Sequence, residues 1–373
     1  MTTEQQMSRD DLRRPLPLAY HPLYRFYEGG ALTRQFRGLP ERPDDWWSED
    51  WVGSCTCAGN PDPAGRVQGL STVDLPSGQV TLKSLAEAWP EEMGDASVLV
   101  KLLSPSGPVP LHAHPTRAWA RRHLGSPFGK TEAWILLDTP GDGPGDDGEP
   151  AYAGIGFQPG VTPEWFAGAV RRHDNAALRA SLHRTEVHPG EVYVAHAGVP
   201  HYLGPRLSFI EVQEPSDHIV IPETSGDDDP GPTMGLGWDL ALDMIDYGTA
   251  DAASTLTRAR QQPRVLRTSR GSREVRLFAG DVTEFFDATV LEVADEIEVA
   301  DGRFSIAIVI AGDGWAEGDF GRQQVRKGQT FAWPGSLSLR VRAGREPVRV
   351  VRCLGPLSGA RGLGEARGNE ATR

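Results

Sequence analysis

Apolar residues in this chain come in short bursts rather than long helical stripes. "SVLVKLL" (97–103), "TEAWILLDT" (131–139) and "FSIAIVIAGDG" (304–314) are runs of strand length, separated by clusters of Gly, Pro and Asp. Two stretches break the rule. "TLKSLAEAWPEEMG" (81–94) has helical spacing at Leu82, Leu85, Ala88 and Trp89, with Gly94 as a stop. "VTPEWFAGAVRRHDNAALRASLH" (161–183) predicts a helix near 163–182, with Thr162 as N-cap and Pro163 at the first helical position. Arg117 and Arg121 in "PTRAWARRH" fall one helical turn apart and read as a solvated helix face.

The last third, about 264–355, is again strand-like and carries "KGQTFAWPG", a rhythm echoing "PGEVYVAHAG" at 189–198. It holds no histidine, since none follows His218. These features predict a mainly β protein of two barrel-like units, the second degenerate and metal-free, with a small helical insertion in the first. The expected divisions are a flexible N-terminus (1–14), a metal-binding unit (15–225) with the insertion at about 160–184, and a connecting segment (226–263). A second unit (264–357) and a flexible tail (358–373) follow. The Gly/Pro/Asp-rich "PGDGPGDDGEP" (140–150) and "SGDDDPGPTMGLG" (225–237) read as loops.

Composition narrows the function classes. With 43 Gly and 30 Pro among 373 residues, many turns are expected and a helical bundle is not. A net charge of −13 argues against nucleic acid and against an anionic membrane surface as partners. It leaves room for a small ligand. The N-terminus lacks an apolar signal region and no run reaches membrane-span length, so a cytoplasmic chain is the expectation. Cys55, Cys57 and Cys353 form no framework; Cys55 and Cys57, two apart, read as buried thiols on one face of a strand.

The candidate chemistry lies in "VPLHAHPTRAWARRHLGSPFGKTEAW" (109–134). Residues two apart on a strand share a face, about 6–7 Å from one another. His112 and His114 can therefore bend onto one cation. Zinc-type ions need three or four N, S or O donors. Glu132 at the start of "EAWILL" and His201 after "VYVAHAGVP" are the candidates to complete the set. An HxH pair followed by a Glu and a later His is the pattern of cupins, small jelly-roll barrels.

Several segments in order resemble the type I phosphomannose isomerases of the cupin superfamily, over most of the chain. "SEDWVGS" (48–54) is similar to an early "gEsWeiS"-like segment, and "SVLVKLL" to a strand with Lys that precedes a QxHP ligand pair. "GKTEAW" (129–134) is the most specific match. "GEVYVAHAGVPHYLG" (190–204) and "EVQEPSD" (211–217) are similar to two later motifs. The resemblance implies two cupin barrels, only the first holding metal, with a helical insertion. It makes His112, His114, Glu132 and His201 the ligands of one divalent ion, zinc being the family's usual one. It also makes Lys130 a catalytic, substrate-contacting cation and Glu211 the candidate group for proton transfer. The activity implied is aldose–ketose isomerisation, mannose 6-phosphate to fructose 6-phosphate in the family.

Three departures bear on this. His112 stands where the family has Gln, and an imidazole there suits zinc but equally manganese, cobalt, nickel or iron. Pro110 replaces a Ser that helps the family hold phosphate, and Ile221 an Arg that the family uses in phosphate binding or catalysis. The substrate is thus a sugar phosphate or a related, unphosphorylated sugar. Trp119 and His196 are further candidates for substrate contact, set against core packing for Trp119 and an ordinary turn for His196. Two alternatives stay open: a cupin oxygenase or lyase, and a non-catalytic, metal-stabilised sugar-binding protein.

Overall fold

A strand buried on both faces must be apolar throughout, unless one face looks onto a polar site. Leu99–Leu103, Glu132–Leu136 and Phe209–Gln213 are buried along their whole length in the computed structural model of the chain. The structure describes residues 8–76, 78–137, 150–205, 207–224, 226 and 231–357. Most of the loop expected at 140–150, part of that at 225–237, the tail at 358–373 and the first seven residues lie outside the described set.

These three strands form the middle of a six-stranded antiparallel sheet, in the order Val192–Ala195, Glu132–Leu136, Phe209–Gln213, Leu99–Leu103, Glu49–Trp51, Pro22–Leu23. A four-stranded sheet, Leu182–Glu186, Tyr152–Phe157, His201–Leu203, Val109–His112, packs on its inner face. Between them lie Leu103, Val109, Trp134, Ile155, Leu203 and Phe209. A second group of strands follows in the last third. Seven strands including Ser272–Arg276, Asp287–Val293, Ser305–Ala311 and Val348–Leu354 face a four-stranded sheet that includes Asp313–Gly318 and Leu339–Ala343.

The two large sheets meet back to back. Val100, Leu102, Ala133, Ile135, Ile210 and Val212 from the first share one core with Val290, Ile306, Ile308 and Val351 from the second. Period-2 alternation then decides the rest: Lys101, Glu132 and Glu211 sit between those apolar positions and point to the other face, into the space between the first pair of sheets. The N-terminal residues cross over. Leu16 and Pro17, expected with the first unit, pair with Ala332 and Phe331 in the seven-stranded sheet.

Helices cover the outer face of the four-stranded sheet, with Trp119, Phe166, Val170, Leu178, Leu242 and Ile245 packed on Phe157 and Tyr202. Thr162 caps the insertion by accepting from the Trp165 N–H, and Pro163 opens the helix as expected. The single helix expected over 163–182 is two, Pro163–Arg171 and Asn175–Ala180, because His173 adopts a left-handed φ of 52° and ends the first. Likewise the stretch at 81–94 is two short helices, Leu82–Ala88 and Pro90–Met93, since a residue preceding proline disfavours the α conformation. Cys55 and Cys57 correct another expectation. The strand stops at Trp51 and Gly53 turns the chain at φ 62°, leaving Cys55 half-buried and Cys57 exposed in a loop. Among the described residues no helix is long and apolar enough to cross a membrane.

Gly154 lies opposite Tyr202, next to His201 on the strand carrying that histidine. A Cβ there would fall 2.0 Å from the Tyr202 ring, so the ring or the strand must shift. Gly154→Ala is expected to cost about 1–3 kcal/mol. Chemical denaturation would read this as a lower midpoint; an unchanged midpoint would contradict the packing described.

Candidate metal centre

The sheets converge four polar side chains that the sequence spreads over 90 residues. His112 ends one strand and faces His201 directly in the antiparallel register. His114 follows at the strand exit, where Ala113 bridges to Val220. Glu132 opens its strand in the opposite sheet, after a tight approach of Gly129 to the chain at Pro115. A Cβ on Gly129 would meet the Pro115 carbonyl oxygen at 2.5 Å, which is why that position takes glycine. The Lys130 and Thr131 backbone is tied down by Lys130 N–H donating to the Pro115 carbonyl and Thr131 N–H donating to Glu214.

One nitrogen or oxygen from each of His112, His114, Glu132 and His201 lies within 4.8 Å of all the others, and all four residues are buried. The hydrogen bonding around them fixes the tautomers. Nδ1 of His112 lies 2.7 Å from the Pro110 carbonyl, Nδ1 of His114 2.8 Å from that of His218, and Nδ1 of His201 2.9 Å from that of Val199. A carbonyl only accepts, so each Nδ1 carries the proton and each Nε2 presents a lone pair. Those lone pairs point at one another and at a carboxylate. His114 Nε2 is 2.9 Å and His201 Nε2 3.1 Å from Glu132 oxygens. His201 Nε2 has no hydrogen-bond partner. Lys130 supplies an ammonium beside Glu132 Oε2 and His114 Nε2, but Glu132 Oε1 and His201 Nε2 face each other as buried acceptors with no proton between them, which a bound cation would satisfy. The donor set fits a divalent transition metal, with the Nδ1–carbonyl bonds orienting the imidazoles and the Trp134 indole N–H holding Glu132 at 3.0 Å.

Burial disfavours the imidazolium form and holds His112 well below its ordinary range, with His201 and His114 adding to the effect. His114 falls to about 3 through burial and the neighbouring Lys130. Burial alone would raise Glu132, yet Lys130 and His114 keep it well below the usual carboxylate range. Lys130 Nζ sits 3.0 Å from Glu132 and 3.2 Å from His114 Nε2.

A buried ionic network continues from the four donors. Lys101 Nζ donates to Glu211 at 2.9 Å and lies 3.6 Å from Glu49. Glu49 also accepts from Arg25, Tyr27 and the Trp51 indole, and Arg25 forks onto Asp217. Burial and the Glu132 charge raise Glu211 above the normal carboxylate range. Lys101, Lys130, Glu132, Glu211 and His112 line one cavity, which shares Arg25, Phe26 and Ile219 with a wider cleft of about 1020 Å³. Sequence reading assigned no role to Arg25, Glu49, Lys101 or Asp217. The available signals were Lys101, a charge inside an otherwise apolar run, and the places of Glu49 in "SEDWVGS" and Asp217 in "EVQEPSD".

Two candidates lie elsewhere. Trp119 packs among the helices on the far side of the four-stranded sheet, its indole N–H donating to Asp243 at 3.3 Å. His196 lines a separate small cavity, 3.9 Å from Asp281. Neither borders the cavity beside the four donors; core packing for Trp119 and a turn for His196 describe them. Arg117 is not simply solvated, since it pairs with the buried carboxylate of Glu214, while Arg121 is exposed.

No family model matches the chain. It is 29% identical to a probable mannose-6-phosphate isomerase, GmuF, of Bacillus subtilis over 201 residues, covering 52% of this chain and 59% of that protein. It is 27% identical over 120 residues to the mannose-6-phosphate isomerase ManA of the same organism, covering 32% and 34%. The matches thus span under two thirds of either relative. Among solved structures, mannose 6-phosphate isomerase from Bacillus subtilis superposes with a TM-score of 0.70 at 21% identity, covering 91% of this chain and 99% of that one. A phosphomannose isomerase from Salmonella typhimurium gives 0.67 at 13% identity, covering 92% and 100%. At these identities the structural likeness establishes the fold.

Purified chain is expected to carry one divalent ion per molecule, and His114→Ala to lose it; elemental analysis of both proteins checks this. Acid should destabilise the metal-free protein. Unfolded histidines take up protons near pH 6.5 whereas His114 resists to about 3, so stability is complete above 6.5 and falls as pH drops. The slope is about 1.4 kcal/mol per pH unit for each such histidine. Urea midpoints that stay flat between pH 7 and 5 would refute it.

Proposed function

The chain is a relative of the phosphomannose isomerases in sequence and shares their fold, and on that premise we propose that it is a metal-dependent aldose–ketose isomerase acting on mannose 6-phosphate or a closely related sugar. The observation that carries this is the meeting of proton-free donors with a buried acid–base pair. The four donors converge within 4.8 Å of one another, and two of them, His112 and Glu132, line the same cavity as Glu211, Lys101 and Lys130.

Isomerisation moves a proton between C1 and C2 and another between their oxygens. A divalent ion, zinc being the family's usual one, supplies Lewis-acid stabilisation of the enediolate oxygens when held by His112, His114, Glu132 and His201. Glu211 is suited to carry the carbon-bound proton. Its carboxyl is lifted above the ordinary range, so it can both accept and return a proton, and Lys101 orients it from 2.9 Å. Lys130, buried beside Glu132, offers an ammonium to the sugar oxygens.

Incubation in heavy water with mannose 6-phosphate and with mannose tests the proposal, with zinc, manganese and cobalt added in turn. Deuterium is expected at C2 of the aldose or C1 of the ketose. Glu211→Gln is expected to lower kcat by roughly 10²–10⁴ with metal content intact. Stoichiometric iron with oxygen-dependent turnover would instead place the chain among cupin oxygenases.

A further inference from the structure

The cleft beyond the donor cavity has the wrong charge for a phosphate. Its wall includes Phe26, Pro110, Leu124, Ile219, Ile221 and Met234. Among the described residues the ionised groups lining it are Arg25, Asp217 and Glu223, with Tyr24 and His218 as the other titratable ones. Four of the five Arg25 donors are taken, Nε by Glu49, Nη1 by Asn60 and Asp217, and Nη2 by Asp217, which leaves one Nη2 N–H for a ligand. Glu223 is occupied by Arg179 and by the Leu111 N–H. The lysines of the site lie at the narrow end, each held by a carboxylate.

A phosphate dianion is normally gripped by guanidinium, ammonium or several backbone N–H groups. With C1 and C2 of a sugar at the four donors, its remote end enters this cleft and meets an apolar wall, where Asp217 is already paired with Arg25 and Glu223 with Arg179, leaving no unpaired cation among the described lining residues. A dianion there would stay uncompensated, whereas a methyl or other uncharged group would bury against Ile221 and Met234. We infer that the substrate is an uncharged aldose whose end remote from C1 is apolar, 6-deoxy rather than 6-phosphorylated. This rests on the isomerase reading above and specifies the substrate class of the same site.

The test compares 6-deoxymannose, mannose and mannose 6-phosphate on the metal-loaded full chain at pH 8, where an ordinary histidine is neutral and phosphate is a dianion. Expected is a kcat/KM for 6-deoxymannose at least equal to that for mannose and at least tenfold above that for mannose 6-phosphate. A value for mannose 6-phosphate equal to or above the others overturns the inference while leaving the isomerase reading intact. If heavy water introduces deuterium into none of the three, the isomerase reading fails separately. Calorimetric binding of the same sugars then decides. Tenfold tighter binding of 6-deoxymannose than of mannose 6-phosphate supports the inference; phosphate binding tightest, or no sugar binding, overturns it. Ile221→Arg should raise the ratio of mannose 6-phosphate to mannose, in kcat/KM or affinity, at least tenfold. An unchanged ratio overturns the assignment of that wall.

Discussion

The back-to-back contact of the two large sheets is the constraint on which the site depends. Because Val100, Ala133, Ile135, Ile210 and Val212 must face the other large sheet, the intervening Lys101, Glu132 and Glu211 have one direction left. Their register is then set by cross-strand pairing: Glu211 stands opposite both Lys101 and Trp134. A slip of one residue in any of these strands would push charges into the shared apolar core and oily side chains into the polar cavity. The core thus enforces the geometry of the chemistry lying on its far side.

Much of this was legible because the relevant residues sit close together in sequence. His112 and His114 are two apart, "GKTE" brings Lys130 and Glu132 together, and strand alternation is a local property. What escaped reading has long-range causes. Arg25 and Asp217 are partners across 192 residues, and no local pattern announces the pairing. Trp119 sits five residues from His114, yet its helix turns it to the opposite side of the sheet. The break at His173 depends on a left-handed conformation that its residue type does not advertise. Leu16 and Pro17 are short, unpatterned and bound to a strand more than 300 residues away.

The buried network from Arg25 through Glu49 and Lys101 to Glu211 is poorly explained as a source of stability. Taking so many charges out of water costs several kcal/mol per ion before attraction returns any of it, and apolar replacements of similar volume are often as stable. Its geometry makes better sense as positioning. Asp217 saturates one edge of the Arg25 guanidinium and Glu49 takes Nε, while Glu49 also receives Tyr27 and Trp51. Lys101 is held between Glu211 and Glu49, and Glu49 is itself fixed by Arg25, Tyr27 and Trp51, which limits how far the Lys101–Glu211 pair can rearrange when a ligand enters.

The crossing of the N-terminal segment into the last sheet has a consequence for how the chain is made. Leu16 pairs with Ala332, and Arg37 reaches the Gly328 carbonyl and the Thr330 hydroxyl. On a ribosome adding 5–20 residues per second, those partners emerge roughly 15–60 seconds after residues 16 and 17. The first sheet pair can assemble in that interval, but its outer apolar face stays wet until the second large sheet arrives. Nascent chain of this length therefore exposes a broad greasy surface with a loose leading strand, the kind of intermediate that chaperones hold.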